Sequence, residues 1–204
     1  MPEDTWGNNW MSKIRIFGSP QSRAFRALWA AREMGVDYEL VSDYKTPDFA
    51  KVNPNAKIPA LQDGDLTLFE SMAINLYLAQ KFGKGLWPGS AADQGRVYQW
   101  SFWVMTEVEK PALTILMDAF GMKADPEGAA AGRTALEKPF GILDKHLTGR
   151  DYVLGKDFTI ADLNLAAVIG WAKAGKVDLS PWPNLSAWLD RCLSRPHATA
   201  ARKG

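Results

Sequence analysis

Cysteine and histidine are scarce in this chain, which has one cysteine and two histidines among 204 residues. A single thiol, Cys192, excludes an internal disulfide framework. With only His146 and His197 beside it, the sequence cannot assemble a zinc site from cysteine and histidine ligands. We therefore expect no metal centre, and we interpret Cys192 as a buried thiol rather than a reactive group.

The sequence also lacks an excess of either charge and a long apolar run. Its 24 Lys and Arg residues nearly balance 23 Asp and Glu residues, so no net field would attract nucleic acid or an anionic membrane. No apolar run approaches the roughly 20 residues that cross a bilayer, and no basic segment followed by a hydrophobic stretch opens the chain. These absences predict a cytoplasmic protein that binds neither nucleic acid nor membrane.

The first part of the chain alternates between the periodicities of strands and helices. In chain order the pattern predicts a strand at 14–17, a helix at 22–34, a strand at 38–41, a short helix at 46–51, strands at 60–62 and 66–69, and a helix at 71–82. The first three elements form a βαβ unit with a parallel strand pair. Asp63 and Gly64 favour a hairpin turn, so the last three elements form a ββα unit.

Beyond residue 83 almost every periodic stretch has helical spacing. Helices are predicted at 93–120, 127–147, 160–174 and 185–194. Pro111 and Pro139 are expected to kink or interrupt the first two of these. The domain organisation is then an extension at 1–12, an α/β domain at 13–83, a linker at 84–92 and an all-α domain at 93–204.

Four short motifs occur at specific places in this framework. Residues 19–23 have the sequence Ser-Pro-Gln-Ser-Arg, residues 57–61 Lys-Ile-Pro-Ala-Leu, residues 70–74 Glu-Ser-Met-Ala-Ile and residues 158–162 Phe-Thr-Ile-Ala-Asp. In order and spacing they resemble the cytosolic glutathione transferase superfamily, and the first motif resembles its serine-type members of theta-like, zeta-like or bacterial class. The resemblance covers nearly the whole chain from Lys13 onward.

The resemblance implies a thioredoxin-like glutathione-binding domain followed by an all-α domain. It also implies an enzyme of detoxification, in which glutathione is the co-substrate and its thiolate is conjugated to a small, electrophilic, largely apolar molecule. A homodimer is expected from the family. Two alternatives stay open: a glutathione-dependent isomerase or dehalogenase, and a non-catalytic glutathione-binding or scaffold protein with the same fold.

Conjugation requires a thiolate, and a free thiol with a pKa of roughly 8.5 is only a few per cent ionised at neutral pH. Lowering that pKa by about two units requires about 2.7 kcal/mol, which a hydroxyl donor and a helix N-terminus can supply together. The resemblance assigns this role to Ser19, expected at the N-terminus of the first helix, with Ser22 as second choice. A serine followed by a proline is equally typical of a plain helix cap.

The remaining motifs imply contacts with each part of glutathione. In the family the proline matching Pro59 is cis, and the backbone of the residue before it, here Ile58, pairs with the cysteinyl part. Glu70 would accept from the γ-glutamyl ammonium group, Ser71 would donate to the γ-glutamyl carboxylate, and Lys57 would approach the glycyl carboxylate. The alternatives are a trans proline on an edge strand, a serine cap after an acidic residue, and a solvated lysine.

Two further assignments concern the helical domain. Trp103 and Met117 are candidates for the wall of the second-substrate pocket, although aromatic and polarizable residues on a helix are usually core. Thr159 and Asp162 fit a capping box, in which each side chain satisfies a backbone NH at the start of a helix. We assign that pair to folding rather than to catalysis.

Overall fold

The computed structural model describes residues 13–83 and 85–203, so the predicted extension at 1–12 lies outside the described residues. Its elements in chain order are β1 (Ile14–Phe17), α1 (Ala24–Glu33), β2 (Tyr38–Val41), α2 (Phe49–Val52), β3 (Ala60–Asp63), β4 (Leu66–Phe69), α3 (Ser71–Phe82), α4 (Ala91–Glu107), α5 (Glu109–Ala119), α6 (Pro126–Leu147), α7 (Ile160–Ala174), α8 (Pro183–Leu193) and α9 (Pro196–Lys203).

The four strands form one mixed sheet in the order β2-β1-β3-β4. Strand β1 is parallel to β2 and antiparallel to β3, and β3 and β4 form the predicted hairpin. Because side chains alternate between the faces of a strand, Ile16 is buried in the main core, whereas Phe17 contacts Phe49 of α2 with ring centroids 5.5 Å apart. The α/β domain followed by an all-α domain confirms the predicted fold class.

Helix α7 is the centre of the helical domain. Nearly all of its residues are buried, and it packs against α1, α4, α5 and α8. The carboxylate of Asp162 accepts from the backbone NH of Thr159 at 2.9 Å, as the capping box predicts. It also accepts from the NH of Val153 at 2.7 Å and from the indole of Trp188 at 3.0 Å. The motif therefore joins three segments of the domain as well as capping a helix.

Of the two interruptions expected in the helical domain, the described residues show one. The helix expected at 93–120 is divided at Val108 into α4 and α5. Pro111 is the third residue of α5, in its first turn, where the missing proline NH costs no hydrogen bond within the helix, so the helix is interrupted near this proline as expected. Helix α6, in contrast, continues through Pro139 without interruption, and α9 was not predicted. Among the described residues no helix combines the length and hydropathy of a membrane span.

An ion pair joins the C-terminal end of α1 to the helical domain. Arg195 donates to both carboxylate oxygens of Glu33 at 2.7 and 2.8 Å, and the indole of Trp29 donates to the same carboxylate at 2.9 Å. Only 2% of the Glu33 side chain is exposed. Burial raises the pKa of Glu33, but the hydrogen bonds from Arg195 and Trp29 outweigh it and leave that pKa below its ordinary value.

We predict that Glu33→Gln lowers the free energy of unfolding by about 3 kcal/mol at pH 7, because Arg195 loses its charge partner. A carboxylate with a lowered pKa stabilises the fold above its unfolded-state pKa, and this contribution is lost as pH falls through the folded-state pKa. The difference between wild type and variant should therefore shrink on acidification. Urea unfolding across this pH range measures it. The matched control is Asp37→Asn, in the exposed pair with Lys13, and equal losses in the two variants would contradict the prediction.

Candidate functional site

A cleft of about 410 Å³ lies between the α/β domain and the start of α5. It is lined by Arg23, Asn53, Asn55, Lys57, Ile58, Pro59, Glu70, Ser71, Met105 and Glu109. The structure thus brings together all five residues that the sequence assigned to the glutathione contacts outside the serine turn. Met105 and Glu109 come from the helical domain, so both domains contribute to one cleft.

The loop before β3 presents its backbone to this cleft. The Ile58-Pro59 peptide bond is cis. The side-chain amide of Asn53 donates to the carbonyl of Lys57 at 2.5 Å, and its oxygen accepts from the NH of Asn55, which fixes the loop. Within residues 13–83 and 85–203, neither the NH nor the carbonyl of Ile58 has a hydrogen-bond partner. Backbone groups of this kind can pair with an extended peptide.

Residues Glu70 and Ser71 form a second wall of the cleft at the start of α3. Glu70 has φ 70° and ψ 113°, a conformation that residues with a side chain rarely adopt and that is often found at functional sites. Its side chain is exposed. The hydroxyl of Ser71 is nearly buried and accepts from Nη1 of Arg26 at 3.1 Å. A carboxylate, a hydroxyl and a helix N-terminus therefore meet at this wall.

The serine turn differs from the sequence prediction. Helix α1 begins at Ala24, so Ser19 lies five residues before it rather than at its N-terminus. The hydroxyl of Ser22 accepts from the NH of Ala24 at 3.1 Å and donates to the carbonyl of Ser19 at 2.7 Å, so it stabilises the turn that leads into the helix. The hydroxyl of Ser19 makes no hydrogen bond to any residue that the structure describes. The alternative in which Ser19 is a plain helix cap is therefore wrong.

Neither serine is among the residues that line the cleft, but the turn adjoins it. Gly18 has φ +146°, and a Cβ atom at this position would lie 3.6 Å from the Cβ of Ile58 and 2.4 Å from the Cβ of Ala24. Since Ser19 directly follows Gly18, the serine turn lies next to Ile58, which lines the cleft. Only glycine allows α1 to approach the turn this closely.

The candidates for the second-substrate wall lie elsewhere. Trp103 packs edge-on against Trp100, with ring centroids 5.0 Å apart, and neither Trp103 nor Met117 lines the cleft. The helical domain contributes Met105 and Glu109 to the cleft instead. Helical periodicity alone could not select between faces of a helix that is aromatic on several sides.

Sequence reasoning missed a buried charge network beside the cleft. Arg26 is 1% exposed, and its Nη2 lies 3.4 Å from Oε1 of Glu109. The same oxygen accepts from Nε of Arg23 at 2.6 Å. Burial lowers the pKa of Arg26 to about 10, so the guanidinium still carries its charge at pH 7. The sequence signal that could have indicated this network is Arg26 itself, the one charged residue in the otherwise apolar stretch at 24–31.

Two other expectations concern groups away from the cleft. Cys192 is fully buried, and burial raises the pKa of its thiol. In the part of the chain that the structure describes, no three His, Cys, Asp or Glu residues are arranged to hold a metal ion.

Comparison with known families decides the assignment. Residues 12–80 match the model of the glutathione S-transferase N-terminal domain, and residues 105–196 match that of the glutathione S-transferase C-terminal domain. The chain belongs to the glutathione S-transferase family. Both matches agree with the order of the α/β and helical domains described above.

Individual members of the family and of related groups align over most of the chain. Glutathione S-transferase 3 of Zea mays is 30% identical over 91% of this chain and 91% of its own length. Elongation factor 1-gamma 2 of Oryza sativa is 32% identical over 92% of this chain but only 47% of its own length. The glutathione-bound theta class glutathione S-transferase of Xanthomonas axonopodis pv. citri is 27% identical, with a TM-score of 0.85, over 94% of this chain and 97% of that one.

We predict that Gly18→Ala destabilises this glutathione S-transferase by about 2 kcal/mol or more, because the new methyl group collides with Ala24 at a positive φ. The serine turn should be displaced, so glutathione binding should weaken as well. Urea unfolding and calorimetric titration measure the two effects. Gly95→Ala is the control, since its Cβ has open space within α4, and that helix should gain stability. A fully stable Gly18→Ala variant would contradict the prediction.

Proposed function

We propose that this protein conjugates the thiolate of glutathione to a small, largely apolar electrophile in the cytoplasm, as part of detoxification. The observation that carries the proposal is the cleft itself. Its wall contains Lys57, Glu70, Ser71 and the backbone of Ile58, which has no hydrogen-bond partner among residues 13–83 and 85–203. These groups match the middle and the two ends of one extended tripeptide.

Each end of glutathione would find a partner of opposite charge. The hydroxyl of Ser71 and the N-terminus of α3 would bind the γ-glutamyl carboxylate, and Glu70 would accept from the neighbouring ammonium group. Lys57 is exposed and lines the cleft next to Ile58, and it would approach the glycyl carboxylate. The backbone of Ile58 would pair with the cysteinyl residue and fix the position of its sulfur.

We assign thiolate stabilisation to Ser19. Its hydroxyl is half-buried and is not used by other described residues, whereas the hydroxyl of Ser22 is used within the turn. A charge-assisted hydrogen bond contributes about 1.5–3 kcal/mol, enough to lower the thiol pKa by one to two units. Because α1 begins only at Ala24, this hydroxyl has to act with less help from the helix N-terminus than the sequence suggested. A serine-type class remains part of the proposal.

The decisive pair of variants is Ser19→Ala and Ser22→Ala. We expect Ser19→Ala to lower kcat by about 10- to 100-fold with a chloronitrobenzene acceptor, to raise the apparent pKa in the pH profile of kcat/KM, and to leave glutathione affinity nearly unchanged. Ser22→Ala should instead lower the free energy of unfolding by about 1 kcal/mol, because the turn loses two hydrogen bonds. Unchanged turnover in Ser19→Ala, or a raised thiol pKa in Ser22→Ala, would reassign the role.

The similarity to elongation factor 1-gamma supports a second candidate, a glutathione-binding or scaffold module without catalysis. That relative carries the matched region as less than half of its length and is named for another process. A screen of diverse electrophiles, isomerisation substrates and haloalkanes separates the candidates. Binding of glutathione without turnover of any acceptor would favour the module, and turnover of only the isomerisable or halogenated compounds would redefine the reaction.

A homodimer also belongs to the proposal. Phe102 on α4 is 58% exposed, and Leu66 and Phe69 on the edge strand β4 are each 39% exposed. Large apolar side chains on an edge strand and on a nearby domain are typical of a surface that a two-fold related copy covers. In such an interface, β4 of one protomer would face α4 of its partner.

We predict that the double variant Phe69→Ser/Phe102→Ser is monomeric at micromolar concentration, whereas the wild type is a dimer. The physical reason is the loss of two large apolar contacts from each half of the interface. Light scattering after gel filtration measures the mass. Ile142→Ser is the control, because Ile142 is 45% exposed but belongs to α6 rather than to β4 or α4. A wild type that is monomeric, or a double variant that stays dimeric, would contradict this arrangement.

A further inference from the structure

Arg26 is a charged side chain in a position where the surrounding helix is apolar. It is 1% exposed, and among the described residues its Nε is a buried donor without a partner. Burying a guanidinium with an unsatisfied donor is costly. An aliphatic residue of similar length would remove this cost, so the charge requires an explanation beyond packing.

The outer nitrogens of the guanidinium are directed to groups of the cleft. Nη1 donates to the hydroxyl oxygen of Ser71 at 3.1 Å, and it also lies 3.5 Å from the sulfur of Met105. Nη2 donates to Glu109 at 3.4 Å, and the plane of the group lies over the ring of Trp171, 4.7 Å from its centroid. One buried cation thus contacts three residues that line the cleft or border it.

The contact with Ser71 has a chemical consequence for the cleft. A hydroxyl has one hydrogen to donate and two lone pairs to accept with. Because Arg26 donates to this oxygen, one lone pair of the Ser71 hydroxyl faces the guanidinium. The hydroxyl hydrogen is therefore directed away from Arg26. Ser71 lines the cleft, so its hydrogen is available to an anion bound there.

We propose that Arg26 is a positioning residue of the glutathione site, which orients the Ser71 hydroxyl toward the γ-glutamyl carboxylate and places a buried positive charge behind it. The inference rests on the proposed function, since it assigns the γ-glutamyl end of glutathione to this wall. Because Arg26 is buried behind Ser71, it acts through that hydroxyl rather than by contact with the ligand.

Glu109 holds the guanidinium in its orientation. Its Oε1 is shared between Nε of Arg23 and Nη2 of Arg26, and its side chain is only 10% exposed. The side chain of Arg23 is 40% exposed and remains hydrated. The buried charge of Arg26 instead depends on the carboxylate of Glu109 to offset its loss of hydration. Since Glu109 belongs to α5, the orientation of Ser71 in the α/β domain depends on a contact with the helical domain.

The test compares the binding of two ligands by calorimetry. One is S-methylglutathione. The other is the same compound with 4-aminobutyrate in place of the γ-glutamyl residue, so that it keeps the ammonium group but lacks the γ-glutamyl carboxylate. We expect Arg26→Met to weaken S-methylglutathione binding by about 10- to 100-fold, and to change binding of the analogue by less than about threefold. In steady-state kinetics the KM for glutathione should rise by the same factor, and kcat should be nearly unchanged.

The control is Arg32→Met on the same helix. Arg32 also has a buried Nε without a partner in the described part of the chain, but it lies outside the cleft. Its substitution should leave the affinity for both ligands unchanged. Equal weakening of both ligands by Arg26→Met would show a purely structural role and overturn the proposal, as would unchanged binding of S-methylglutathione.

A second pair of variants keeps the test informative if Arg26→Met does not fold. Arg26→Lys retains the charge, but one ammonium group cannot reach Ser71 and Glu109 in the same geometry. It should weaken S-methylglutathione binding several-fold in the wild-type background and have little effect in a Ser71→Ala background, because the two residues act in series. Additive effects would overturn the proposal. A wild type that binds neither ligand would instead refute the proposed function.

Discussion

Helix α1 has to be buried on nearly every side, and much of the structure depends on this constraint. It lies between the sheet and helix α3 on one side and helices α7 and α9 on the other. A helix that is buried on most sides has little solvent in which to place its charges, so its most buried charged side chains are paired with other elements. Glu33 pairs with Arg195 near its C-terminal end, and Arg26 pairs with Glu109 near its N-terminal end.

These pairs connect folding with the site. A helix held by polar contacts at both ends has a defined rotation, so the side chain of Arg26 reaches Ser71 rather than another part of α3. The cleft is accordingly built from groups fixed by both domains, and its polar character is concentrated where a zwitterionic peptide would need it. The glutathione S-transferase family match is in accord with this arrangement.

Sequence reasoning succeeded where the chemistry is local. The alternation at 14–17, the hairpin turn at Asp63 and Gly64, and the capping box of Thr159 each depend on residues a few positions apart, and all occur in the structure. It failed where distant atoms decide the outcome. Helix α1 begins at Ala24 rather than near Ser19, because residues 19–22 form a turn of their own, closed by a hydrogen bond from the NH of Ser22 to the carbonyl of Ser19.

The sequence by itself determined the order of most elements and the two-domain fold, since periodicity is a property of neighbouring residues. Its resemblance to the glutathione transferases pointed to the five residues at 57–59 and 70–71 that meet in the cleft. Only the tertiary structure decided that Arg23, Met105 and Glu109 join them, that Trp103 and Met117 do not, and that Arg26 is buried behind Ser71. A charge within a helix looks the same in sequence whether it faces solvent or a partner 83 residues away. Burial and partner choice arise only when the helices pack.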